Sequence, residues 1–272
     1  MVEITQRERE ILNKLIRCST DISEFTDIAR IVGPDGLEPM CRRPYEMEWL
    51  AAMNSGKHTC ILAHKGSGKT VMGLLYALWY CFFHWGKKVA VVCRDKDWAG
   101  QLASWFWQMS KTVEPEYREQ LPEIEDVTKM HIINATRRFK FENQTHIFFT
   151  GPECGELRGH NIDRLIFDEF DNMDELNGDN WINMWFPTML LTKQRIVVFS
   201  TPRGMKQMYR LWNRDDKNWI KIKSSWRETG LFSYRDIKQM ETYRSPVEID
   251  NGYCCEFADM RNREYRKELM RR

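Results

Sequence analysis

The sequence predicts an α/β fold, a mainly parallel β-sheet flanked by helices on both faces. Three observations predict it. Short apolar, β-branched runs recur through the middle of the chain, at His58–Ala63, Lys88–Cys93, Arg164–Phe167 and Arg195–Phe199. Longer segments with helical spacing, Lys69–Trp85 and Asp97–Lys111, follow the first two. The runs are apolar almost throughout, which marks strands covered on both sides.

Each element has its own signal. Residues 1–32 read as a helical arm with Ile11, Leu12, Leu15 and Ile16 on one face, ended by the turn signal Gly33-Pro34-Asp35-Gly36. Residues 40–56 hold a short helix with Pro44 in its first turn. His58–Ala63 has strand length, Lys69–Trp85 is a buried helix, Lys88–Cys93 a buried strand and Asp97–Lys111 a helix. Phe139–Thr150 reads as a hairpin turning at Glu142-Asn143-Gln144, and Arg164–Phe167 and Arg195–Phe199 as further strands. From about residue 219 the pattern changes: one strand, Trp219–Ser224, precedes polar helices up to Arg272. The expected organisation is an N-terminal helical arm over 1–39, a core over 40–218, and a small C-terminal subdomain with a basic helix over 219–272.

Composition excludes several classes. With 272 residues, 42% hydrophobic and 29% charged, and mean hydropathy −0.58, the chain can build a core, so long disorder is not expected. The longest apolar run, Val71–Trp85, is cut by Gly73 and His84, short of the ~18 apolar residues of a membrane span. Lys and Arg total 41 against 39 Asp and Glu, a net charge of +2. That balance argues neither for nor against a nucleic-acid partner: a motor that grips DNA transiently needs no strongly basic charge, whereas a histone-like packager would. The N-terminus is charged, with no apolar leader, so no signal peptide is expected. None of the eight cysteines forms a C-x-x-C pair and the histidines lack ligand spacing. The cysteines read as reduced, buried and cytosolic, and no zinc or other transition-metal site is expected.

Four motifs carry chemistry. Ala63-His64-Lys65-Gly66-Ser67-Gly68-Lys69-Thr70 follows a strand and opens a helix. A G-x-x-x-x-G-K-[ST] loop uses glycine so that backbone N–H groups can wrap phosphate oxygens; here Ala63 stands in for the first glycine. Lys69 would neutralise the β- and γ-phosphates, the Thr70 hydroxyl would sit on Mg²⁺, and the helix N-terminus adds its dipole. Leu165-Ile166-Phe167-Asp168-Glu169 ends a buried strand in two carboxylates, where open α/β sheets bind ligands. Asp168 would hold the Mg²⁺ shell and Glu169 would activate water as a general base. Phe199-Ser200-Thr201-Pro202-Arg203-Gly204 places Ser200 and Thr201 at the next strand end, within reach of a γ-phosphate. Leu157-Arg158-Gly159-His160 places Arg158 11 residues before Glu169, on a loop where it could act as an arginine finger.

With these motifs in this order, residues 40 to 258 resemble the ATPase domain of the large terminase subunit, the DNA-packaging motor of tailed bacteriophages. Arg42-Arg43-Pro44-Tyr45-Glu46 is similar to that family's adenine-binding element, Glu46 standing where glutamine is usual. The loop is similar to its deviant Walker A, Lys65 lying near the position of an arginine. Asp168-Glu169 matches Walker B with the catalytic glutamate, Ser200-Thr201 the coupling motif, and Arg158 an arginine acting on a neighbouring subunit. The resemblance implies a P-loop NTPase of RecA-like (ASCE) fold whose C-terminal subdomain is a lid. It implies ATP, bound by Arg43, Tyr45, Glu46 and His64 to Thr70, with Mg²⁺ on Thr70 and Asp168, and catalysis by Lys69, Glu169 and Arg158.

The implied partners are double-stranded DNA, a capsid portal protein, a small terminase subunit and copies of the chain in a ring of about five. The isolated chain is expected to be a monomer, in the host cytoplasm, with no membrane partner. Family members continue into an RNase H-like nuclease; this chain stops at Arg272 and its remaining acids, Asp215, Asp216 and Asp259, lack the strand context, so no nuclease activity is expected. The competing readings are a helicase-like DNA remodeller, which would need a second RecA-like domain, and a nucleotide-gated assembly protein with little turnover.

Other features read as ordinary packing or solvated surface. Trp98 and Trp105, seven apart on one helical face with Leu102 between them, are expected in the core rather than on bases. Arg137-Arg138-Phe139-Lys140 and the basic tail Arg261–Arg272 could each meet a DNA backbone or simply face water.

Overall fold

A computed structural model describes residues 4–33, 36–39, 43–127, 137–153, 157, 160–173, 185 and 194–259. Helices α1 (Gln6–Thr20) and α2 (Ile22–Phe25) lead to a hairpin of β1 (Arg30–Gly33) and β2 (Gly36–Pro39). Then come α3 (Pro44–Asn54), β3 (His58–Ala63), α4 (Lys69–Phe83), β4 (Lys88–Val92), α5 (Lys96–Lys111) and α6 (Pro115–Arg118). Strands β5 (Ile124–Asp126), β6 (Arg137–Phe141), β7 (His146–Thr150), β8 (Arg164–Phe167) and β9 (Arg195–Ser200) follow. The described chain closes with α7 (Gln207–Asn213), β10 (Trp219–Ser224), α8 (Trp226–Thr229), α9 (Tyr234–Glu241) and α10 (Pro246–Gly252).

Eight strands form one sheet in the order β10-β3-β9-β8-β4-β7-β6-β5. The six from β10 to β7 are parallel, and β6 and β5 add an antiparallel edge. Strand side chains alternate between two apolar clusters: Ile61, Val91, Ile166 and Phe199 face one way, Cys60, Ala90, Leu165 and Val198 the other. Both faces are therefore buried, as the unbroken apolar runs predict. The larger cluster includes α3, α4 and α5; the second includes Met208 and Leu211 of α7.

Three features differ from the sequence reading. First, the N-terminal segment belongs to the core. Leu15, Cys18, Ile22 and Phe25 join the main cluster, and Phe25 meets Phe82 and Phe83 at ring-centroid distances of 6.2 and 5.9 Å. The buried stripe runs through Ile11, Leu15 and Cys18, whereas Leu12 and Ile16 are 41% and 64% exposed, being ~100° further round the helix. The helix also stops at Thr20, capped by the Asp21 backbone N–H on Arg17 O, so residues up to 32 are not helical throughout. Second, the expected turn signal at Gly33–Gly36 lies between two paired strands and not at a helix end: Gly33 and Gly36 pair across the β1–β2 hairpin. Third, β10 is no part of a separate subdomain: it pairs in parallel with β3 from Trp219↔His58 to Ser224↔Ala63, so the sheet runs past the expected boundary at 218. The three helices after it share a small core of Trp226, Ile237, Ile249 and Tyr253.

Among the described residues no helix is long and apolar enough to cross a membrane. The tail from Met260 onward and Arg158 lie outside the described residues.

Candidate active site

The motifs converge because β3, β9 and β8 are neighbours running in one direction. Their C-terminal ends deliver the phosphate loop, Thr201 and the acidic pair to one edge of the sheet.

The loop between β3 and α4 is built on two left-handed glycines, Gly66 at φ 78° and Gly68 at φ 86°. A Cβ at Gly66 would meet nothing within 4 Å, so its requirement is conformational, not steric. Ala63 needs no such freedom, since it is the last strand residue of β3. This is why alanine serves where the usual loop has its first glycine. Lys69 opens α4, buried, and its Nζ donates to His64 O at 2.7 Å, Thr201 Oγ1 at 2.9 Å and Ala63 O at 3.1 Å. Burial pushes its pKa down to about 8, while Asp168, first among nearby charges, holds it up.

Thr70 Oγ1 donates to the Asp168 carboxylate, 3.0 and 3.1 Å from its two oxygens. Burial, then the neighbouring Glu169, raises Asp168 to about 6. A hydroxyl and a buried carboxylate form the hard oxygen donor set that Mg²⁺ takes. Thr70 and Asp168 would hold it, and the ion would supply positive charge against the phosphates. Glu169 sits beside them in a left-handed conformation, φ 58° and ψ 48°, strained for a residue with a Cβ. Asn172 Nδ2 donates to its Oε2 at 2.8 Å, and the Arg94 guanidinium lies 3.7 Å away. Its side chain remains about one-third exposed.

The candidate base-binding segment abuts the loop. Tyr45 OH donates to Ser67 O at 3.2 Å, and Arg43 Nη1 pairs with Glu46 Oε1 at 3.1 Å. Glu46 is buried, its other oxygen accepting the Arg43 backbone N–H at 3.1 Å. A hollow of about 190 Å³ lined by Lys65 to Val71, Glu169 and Thr201 adjoins a larger cleft of about 950 Å³ reaching α10.

Two expected contacts fall elsewhere. The His64 side chain is buried away from the loop mouth: Nδ1–H donates to Lys65 O and Nε2 accepts from Thr229 Oγ1, both at 2.7 Å. Burial lowers its pKa and keeps the ring neutral. His64 thus ties the loop to α8. Ser200 is also buried; its Oγ accepts the Asp171 N–H at 3.0 Å, fixing the turn after Glu169, while Thr201 alone of the pair lines the loop hollow. The expected core placement of Trp98 and Trp105 does not hold: they pack on each other, but Trp98 is only partly buried and Trp105 is 37% exposed, and the Trp98 indole N–H points at Asp168 Oδ2, 3.4 Å away, beneath the Arg94 guanidinium.

A phosphate loop entering a helix, an acidic pair two strands away and a hydroxyl strand between them define a P-loop nucleoside triphosphatase. The sequence matches the DEAD/DEAH box helicase profile over residues 43–208, and the chain belongs to that family as an ATPase domain. No curated protein matches this sequence. Among solved structures, the chain is similar to the large terminase of bacteriophage HK97, with TM-score 0.69 and 13% identity over 88% of this chain and 55% of that one. It is also similar to the large terminase ATPase domain of Thermus phage P74-26, with TM-score 0.56 and 16% identity over 77% and 92%. A third likeness is to the large terminase of a thermophilic bacteriophage solved with ADP, with TM-score 0.59 and 14% identity over 80% and 54%. The chain thus spans about half of the first and third of these proteins. At this identity the likeness establishes the fold, which is the one the motif order implies.

Proposed function

We propose that this chain is an ATP-hydrolysing motor domain that drives double-stranded viral DNA into a procapsid. One observation carries the reading: Lys69, Thr70, Asp168, Glu169 and Thr201 meet at the ends of three adjacent parallel strands. In this reading Arg43, Tyr45 and Glu46 receive the adenine, residues 65 to 70 wrap the phosphates, and Thr70 and Asp168 hold Mg²⁺. Glu169 takes a proton from the attacking water, and Lys69 stabilises the charge that grows on the phosphoryl oxygens. Thr201, bonded to both Lys69 Nζ and Ala63 O, is placed to register the γ-phosphate. Arg158 completes the site from a neighbouring subunit of a ring docked on a portal protein, with a small terminase subunit delivering the DNA, in the host cytoplasm. The likeness to terminase ATPase domains supports this reading.

The helicase-family profile favours a second reading, a DNA-dependent remodeller. Hydrolysis measured with linear duplex, with and without procapsids, alongside a forked-duplex unwinding assay, separates the two. The motor reading expects duplex-stimulated hydrolysis and DNA protected from nuclease by procapsids, without strand separation. Unwinding without protection would replace it by the remodeller, and ATP binding without steady turnover by an assembly switch.

A further inference from the structure

The C-terminal end of α10 holds two walls of the site at once. Asn251 Oδ1 accepts the backbone N–H of Gly204 at 3.2 Å and of Ala258 at 3.0 Å, and its Nδ2 donates to Ala258 O at 2.8 Å. The next residue, Gly252, accepts the Lys65 N–H of the phosphate loop through its carbonyl at 2.9 Å. Both neighbours lie at ordinary contact distance. A Cβ on Gly252 would lie 3.7 Å from the Lys65 side chain, and one on Gly204 would lie 3.7 Å from Ala258 O. Gly204 also has φ 76°, a conformation that exposes its N–H to the amide only while the turn keeps this shape.

The turn that Asn251 grips is the one that carries Thr201. It is also fixed by Thr201 on Lys69 and Ala63, by the Arg203 N–H on Asp171 Oδ2 at 3.0 Å and by the Arg203 guanidinium on Asn172 Oδ1. Asp171 in turn lies two residues past Glu169 and donates its own N–H to Ser200. We propose that Asn251 is a positioning residue for ATP hydrolysis, clamping the 201–204 turn to the end of α10 that also holds the phosphate loop, so that Thr201 and the Glu169 turn keep their places. This rests on the ATPase reading above. Asn251 makes none of the hydrogen bonds of the phosphate loop or of the Arg43–Glu46 segment, so its loss falls on turnover rather than on nucleotide affinity.

The test is kcat and KM of the full chain for Asn251→Ala and Asn251→Asp, with amide exchange over residues 203–206. Asp keeps the acceptor for the Gly204 and Ala258 N–H groups but loses the donor to Ala258 O; Ala loses all three bonds. Asn251→Ala should lower kcat about tenfold with KM within about twofold, the scale of one lost hydrogen bond, while Asn251→Asp stays within about threefold of the unaltered chain. Bound ATPγS should slow exchange over 203–206 in the unaltered chain and in Asn251→Asp, but not in Asn251→Ala. The clamp is overturned if Asn251→Ala keeps its kcat, if both variants lose kcat and affinity together, or if exchange over 203–206 is the same in all three. Should Asn251→Ala fail to fold, Asn251→Leu, which fills the same space without an acceptor for Gly204, takes its place under the same criteria. An unaltered chain that binds but never hydrolyses ATP sinks the ATPase reading instead, and the exchange data still judge the clamp.

Discussion

Lys69 keeps its ammonium group buried against three uncharged oxygens, and that burial sets its response to pH. With a folded pKa depressed from the ordinary 10.5 to about 8, the free protein loses this proton as pH rises through about 8. Nucleotide phosphates favour the charged form. Binding at about pH 9 should therefore take up close to one proton per site, against almost none at about pH 6.5, and affinity should weaken above about pH 8. Calorimetric titration of ADP in buffers of different ionisation enthalpy measures the uptake; none at the higher pH would mean that Lys69 does not meet the phosphates. Glu169 shows the opposite economy of burial: its side chain is partly open, and the strain of its left-handed backbone is held by Asn172 and by the Ser200–Asp171 bond.

At the scale of elements, the seating of α4 on the sheet depends on one missing side chain. A Cβ on Gly73 would come 3.1 Å from Phe199 Cε2 and 3.7 Å from Ile166. Phe199 is fully buried and braced by Trp49 at a centroid distance of 6.2 Å, so it has no room to yield. Helix propensity alone would make Gly73→Ala stabilising by ~1 kcal/mol. Overpacking should reverse the sign, costing about 1 kcal/mol or more, and a urea midpoint that rises on substitution would show that α4 can shift. The same scale shows what the sequence makes legible. The phosphate loop, the acidic pair and the 139–150 hairpin are contiguous strand–turn segments whose chemistry is local, and all are where the residues indicate. The side-chain directions of His64 and Ser200 depend on contacts with Thr229 and Asp171, 165 and 29 residues away, and no local pattern encodes them. Strand β10 misleads because its alternating lysines, Lys221 and Lys223, mark an edge strand, which reads as a change of subdomain. Trp98 reads as core by helical spacing, and only the fold brings its N–H to Asp168.

For the whole molecule, the ring proposal makes Arg158 and Glu169 partners across a subunit boundary. Arg158→Ala and Glu169→Gln subunits should each be inactive in homogeneous assemblies. Mixed, they should recover part of the activity, because some interfaces then join an intact Glu169 to an intact Arg158. Mixed rings that form yet recover no turnover would place Arg158 within its own subunit. Activity per subunit should also rise with protein concentration, or on adding portal-bearing procapsids. Beneath these expectations lies the central claim, that the strand-end cluster around Lys69, Asp168 and Glu169 hydrolyses ATP. The most direct measurement compares ATP binding and single-turnover phosphate release for the unaltered chain and Glu169→Gln. Binding should persist within about threefold while release falls by ~10²-fold or more, the scale of a lost general base. Release that continues at the unaltered rate in Glu169→Gln would contradict the account.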